Sequence, residues 1–206
     1  MQLPALHHHS NRNNVSTADV NGNESLLYNV LSGRIATANV SNGGHFYGNG
    51  YGIIVTANAN EGGFLLNFQD GTILEANVNK GGQGVNYGYG RITEANVDEG
   101  GSMYNRENAT ITTANVYGGS VSNYENAQIT NAYAYDNGRV HNYGNAQITN
   151  AYSDFGKFIN CKRHGLSLSD GVGDRRRFVQ FDDSEPVLAP TLCGLLGKSV
   201  KKGRST

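Results

Sequence analysis

Tryptophan is absent from this 206-residue chain, cysteine and methionine occur twice each, and proline occurs three times. Two widely separated cysteines, Cys161 and Cys193, cannot build a disulfide framework, so free thiols are the expected state. Proline is missing between Ala5 and Glu185, as central strands require when every amide must join a ladder. No apolar run approaches the length needed to span a membrane. The opening Met1-Gln-Leu-Pro-Ala-Leu-His-His-His-Ser has no basic segment leading into an apolar core, so no cleavable secretion signal is recognisable there.

What the chain does have is asparagine, glycine and tyrosine, used periodically. An alanine opening an Ala-Asn-Val step recurs as Ala18, Ala38, Ala57, Ala76, Ala95, Ala114, Ala132 and Ala151, at spacings of 18 to 20 residues. Such a period is the signature of a solenoid, in which one small unit is stacked on copies of itself. Each unit contains three triplets of a small, a variable and usually an aliphatic residue, as in Gly90-Arg91-Ile92, Ala95-Asn96-Val97 and Gly101-Ser102-Met103. Residues two apart on a strand share a face, so the outer members of each triplet point inward and the middle one faces water. The sequence therefore predicts an all-β, three-sided parallel β-solenoid of about eight 19-residue coils, a rod on the order of 40 Å long at about 4.8 Å per coil.

Three parts follow: a flexible leader over 1–14, the repeat domain over 15–161 and a divergent tail over 162–206. All 27 asparagines and all 12 tyrosines precede Lys162. Lys and Arg against Asp and Glu give 7 − 12 = −5 for residues 1–161 and 9 − 5 = +4 for residues 162–206. The tail reads either as a cap, with Leu-Cys-Gly-Leu-Leu-Gly folding over the open end, or as the product of a truncation or frame shift in a longer repeat gene. Its basic run Arg175-Arg176-Arg177 has no aromatic neighbour but Phe178, so no nucleic-acid partner is expected.

Three columns stand out as candidates for structure or binding. Asn67, Asn86, Asn105, Asn123, Asn142 and Asn160 are phased inward at a corner and read as a structural amide ladder, since a carboxamide both donates and accepts. Phe68, Tyr87, Tyr124 and Tyr143, interrupted by Arg106, form an outward aromatic ladder that either stacks for stability or offers a platform for sugars. Thr93, Thr112, Thr130 and Thr149 line a second outward column, but its earlier coils carry Ala36, Val55 and Leu74, so no regular threonine array results.

Catalytic and metal chemistry find little support, and neither a cofactor nor a metal is expected. His7-His8-His9 sits in the leader, where a defined metal site would lack a scaffold, and His45, His141 and His164 fall at unrelated repeat positions. The acidic residues do not recur in paired columns that would form a hydrolytic cleft.

The Val-x-x-Gly-Gly spacing at Val78-Asn-Lys-Gly-Gly and Val97-Asp-Glu-Gly-Gly resembles the repeats of AIDA-type autotransporter adhesin passengers over residues 15–160. That resemblance implies a secreted right-handed β-solenoid acting in adhesion or self-association. The Asn-Ala-x-Ile and Asn-Gly-x-Val triplets at 126–148 are similar, more weakly, to left-handed hexapeptide-repeat proteins, some of them acyltransferases. The leading expectation is thus a non-catalytic surface protein, secreted or on the cell surface, that contacts a host surface protein, a glycan or its own copies. An exported effector using the rod as a protein-binding scaffold comes second, and an acyltransferase third.

Overall fold

The computed structural model describes residues 7–11, 14–23, 25–161 and 178–180. Among them there is no helix; the chain is a parallel β-solenoid of about eight turns. Each coil contributes one long and one short strand. In the fifth coil these are Arg91–Val97 (β10) and Ser102–Asn105 (β11). Counting coils from the long strand Asn14–Asn21 (β2) places the eighth at Gln147–Asp154 (β16) and Lys157–Cys161 (β17). Long strands form one eight-stranded sheet and short strands one ten-stranded sheet, every neighbour in parallel register.

The three triplets per coil occupy two sheets because the long strand holds two of them. Its alternation slips once, at Thr93 and Glu94, which both face outward, so Ile92 on one side and Ala95 and Val97 on the other all face inward. The register passes from Ile92 against Ile111 to Glu94 against Thr113, skipping the threonine between them. An extra outward residue bends a strand, so this slip is a corner taken without breaking the sheet. The interior is then filled column by column. Ile35, Ile54, Ile73, Ile92, Ile111 and Ile129 are buried one above another, and Phe46, Leu65, Met103, Val121, Val140 and Phe158 line the opposite wall. Each coil buries its apolar residues only because its neighbours cover them, which ties stability to stacking.

The other two corners need backbone that turns the chain sharply. Where a long strand hands over to a short one, Glu61 and Gly62 both take left-handed φ, at 49° and 79°, and the Gly63 amide closes the turn on the Asn60 carbonyl at 2.8 Å. Two consecutive left-handed residues strongly favour glycine at the second. The glycine that follows is required for space, since a Cβ on Gly101 would collide with the Val78 carbonyl one coil away. At the opposite corner only the first central residue is left-handed, and it is Gln69, Gly88, Glu107, Glu125 or Gly144 in successive coils.

That second corner is where the inward asparagines sit. Asn67, Asn86, Asn105, Asn123, Asn142 and Asn160 are buried, as expected, and each Nδ2 from Asn67 to Asn142 donates to the next coil's Oδ1 at 2.8–3.0 Å. The same Nδ2 donates to the carbonyl four residues on, as Asn86 does to Gly90 at 3.1 Å, so the ladder also holds the turn. Buried amides that are satisfied in this way escape the penalty of an unpaired polar group and fix the register. The ladder breaks once. Gly48 occupies the column between Asn29 and Asn67, and the buried Asn67 Oδ1, which would accept from residue 48, has no partner.

The sheets run past the boundaries read from composition. His7–Asn11 (β1) pairs in parallel with Ser25–Asn29 (β3), so the histidine tract expected in a flexible leader is part of a strand. Its backbone amides are drawn in by an open sheet edge, a demand invisible in local sequence. At the far end Phe178–Gln180 (β18) pairs with β17, Phe178 against Phe158 and Gln180 against Asn160. The suggested Leu-Cys-Gly-Leu-Leu-Gly cap, Arg175–Arg177 and His164 lie outside the described residues.

Candidate functional surfaces

Outward side chains of the ten-stranded sheet form three columns. The central one carries Tyr47, Leu66, Val85 and Tyr104 in register, all half-buried. Beside it runs the expected aromatic ladder. The rings of Phe68 and Tyr87 stack with centroids 5.4 Å apart and planes 20° apart, and those of Tyr124 and Tyr143 at 4.7 Å and 6°. Between these two stacks stands Arg106, whose guanidinium lies over the Tyr124 ring, 5.6 Å from the centroid, and pairs with Glu125 at 3.7 Å. A half-exposed pair of that kind contributes little by itself; the cation over the ring extends the Tyr124–Tyr143 stack by one coil.

The stacking decides what these rings can do. Their planes face one another along the rod, so they turn edges to solvent. A sugar stacks on a ring face, and within the column those faces are taken. The aromatic ladder therefore holds neighbouring coils together, and its exposed edges suit packing against a protein surface better than stacking on a glycan. The Tyr87 phenol is pushed above its usual range, chiefly by its hydrogen bond to the Glu107 carboxylate. The Tyr143 phenol is raised first by burial and then by Tyr124.

His141 lies in the central column of the same sheet, its Nδ1 2.9 Å from the Tyr143 hydroxyl. Burial pushes its pKa down, and Arg139 adds to that. His45 and Tyr47 repeat the pairing loosely at 3.5 Å. Among the described residues no group of three or more His, Cys, Asp or Glu side chains is placed to hold a metal.

Thr93, Thr112, Thr130 and Thr149 are all exposed, and all four occupy the bend of the long strand. They stand along the ridge at the edge of a face, because the bend turns the next outward column, that of Glu94, Thr113 and Asn131, away from them. Arg91, Thr110, Gln128 and Gln147 stand two residues before them on the same side of the bend, and only Thr110 is a threonine, so no regular array forms.

Two features were not singled out in the sequence. On the broad outward side of the long strands, Asn39, Asn58, Asn77, Asn96 and Asn115 make a second amide ladder at 2.7–3.0 Å, ending on the Asp19 carboxylate. Its donors point toward the N-terminal end, opposite to the buried ladder. The signal was present in the Ala-Asn-Val step, whose middle residue recurs at constant spacing. From coil 7 tyrosines replace it, Tyr133 stacking on Tyr152 at 4.8 Å, and in the outward column two residues on, Tyr117 of coil 6 stacks on Tyr135 at 4.9 Å. Among the described residues no helix is long and apolar enough to cross a membrane. No protein-family model matches this chain, and no curated protein or solved structure does either.

Proposed function

We propose that this protein is a non-catalytic binding rod, of the kind found in bacterial surface adhesins, that acts in adhesion or self-association through the outer face of its ten-stranded sheet. The observation that carries this reading is the unbroken outward run of Tyr47, Leu66, Val85 and Tyr104 beside the stacked aromatic column. Repetition multiplies weak equivalent contacts, so avidity grows with the number of coils engaged and no single residue dominates. Ring edges and aliphatic side chains favour a protein surface, a host protein or a second copy, over a glycan.

The test is the combined Tyr87→Ser, Tyr124→Ser and Tyr143→Ser variant, followed by sedimentation velocity over a concentration series and by binding to immobilised host-cell surface protein. The variant should keep its far-UV circular dichroism while losing association. If the triple variant associates and binds as the parent does, the face is not the working surface.

A further inference from the structure

Exposed apolar side chains are not spread evenly along the rod. Of the seven large hydrophobic residues exposed among those described, five lie on one edge of coils 2 to 5: Leu31, Tyr51, Ile53, Leu74 and Tyr89. Tyr51 is 74% exposed and Tyr89 61%. They occupy the second corner and the first outward positions of the long strand up to its bend. In coil 3 that whole stripe is apolar, with Tyr51, Ile53 and Val55 at alternate positions and the buried Gly52 and Ile54 between them.

The same stripe further along is entirely polar. Coil 6 reads Asn108, Thr110 and Thr112, and coil 7 reads Asn126, Gln128 and Thr130. The strands keep the same parallel register and the corner a left-handed residue at the same position in both halves, so folding does not require the difference. An exposed apolar cluster confined to three coil steps, roughly 15 Å of the axis, is the kind of patch that marks a contact site.

Its rim is charged. Arg34 and Arg91 flank Ile53 and Thr72 in a single register column, and both are exposed. Among the described residues the one ion pair is Arg106 with Glu125, so neither guanidinium is salt-bridged to a described carboxylate. Three carboxylates lie near the patch. Glu75 accepts from Thr56 and Asn77, and Glu94 accepts from Asn115, which directs both across the bend to the far side; Asp70 is exposed at the corner turn, in the coil between Tyr51 and Tyr89, so it divides the two rings and leaves the Ile53 side of the patch to the arginines. An apolar centre rich in tyrosine with arginine at its edge is the anatomy of a protein contact with concentrated binding energy.

We propose that coils 2 to 5 carry a discrete docking site for a partner protein segment combining aliphatic or aromatic side chains with carboxylates. The apolar side chains cover Tyr51 and Ile53, and the carboxylates reach Arg34 and Arg91. Arginine makes two-pronged contacts with a carboxylate, so these two residues set orientation as well as sign. A symmetric dimer through the same patch would bring Arg34 of one copy toward Arg91 of the other, which opposes self-pairing here. This site is separate from the aromatic face and does not rest on the adhesion reading.

The full chain is titrated, by fluorescence anisotropy, into four labelled 12-residue peptide pools: apolar-acidic, apolar-basic, polar-acidic and polar-basic. The apolar-acidic pool should bind most tightly. The Tyr51→Ser, Ile53→Ser double variant should weaken that binding at least tenfold while keeping the parent's far-UV circular dichroism, because neither side chain belongs to the buried interior. Arg34→Glu with Arg91→Glu should transfer the preference to the apolar-basic pool, while the triple tyrosine variant of the aromatic column should bind as the parent does. Equal binding of the four pools, absence of binding, or full binding by the double serine variant would each overturn the proposal.

Discussion

Replacing Gly48 with asparagine should stabilise this protein, against the expectation for a change at a fully buried position. Gly48 interrupts the inner amide column, and the Asn67 Oδ1 opposite it is buried without a donor. The φ of Gly48 is not in the left-handed region, so a side chain is conformationally allowed. A Cβ there meets Ile54 Cδ1 at 3.3 Å and Asn67 Oδ1 at 3.5 Å, contacts that a small rotation of the isoleucine end relieves. Supplying the missing donor removes a penalty of about 1–3 kcal/mol for an unsatisfied buried acceptor. Replacing glycine at a compatible site adds about 0.4–1 kcal/mol by restricting the unfolded chain. Allowing for the tight isoleucine contact, the net gain should be about 1–3 kcal/mol, at roughly 2–4 °C of melting temperature per kcal/mol for a chain of this size. Thermal unfolding followed by circular dichroism reads the effect, with Gly48→Ala as the control that adds the Cβ without the amide. If alanine stabilises as much as asparagine, or asparagine lowers the melting temperature, the orphaned acceptor is not what limits this coil.

Ile111→Ala should destabilise the rod by about 2–5 kcal/mol, because Ile111 is 1% exposed between Ile92 and Ile129 in the same column; denaturant unfolding that matches the parent would contradict the assigned phase. His141 has its pKa lowered by burial and by Arg139, so the unfolded chain binds the proton more readily than the folded one. Stability should therefore be full above the unfolded pKa of about 6.5 and decline as pH falls through the lowered folded value. His141→Gln should flatten that decline in melting temperature against pH, and an unchanged slope would show that other groups cause it.

The sequence by itself determined the period, the strand content and the inward columns. Ile92, Val97 and Met103 recur in phase with neighbours of like character, and only stacking can bury all three. It also determined the amide ladder from Asn67 to Asn160, because an invariant polar residue in an inward phase must find its partners in its own copies above and below. The tertiary structure decided what depends on more than one coil's geometry. The slip at Thr93 merged two of three sides into one sheet and set the threonines on a ridge; one extra outward residue is a backbone event that a triplet pattern does not reveal. Stacking turned the aromatic rings edge-on to solvent, which no column of residue names could specify. Open sheet edges recruited His7–Asn11 and Phe178–Gln180, segments whose composition argues for neither, because unpaired amides at the end of a parallel stack accept any extended chain within reach. The cluster around Tyr51 and Ile53 became a site only when corner and strand residues from different coils were brought onto one edge.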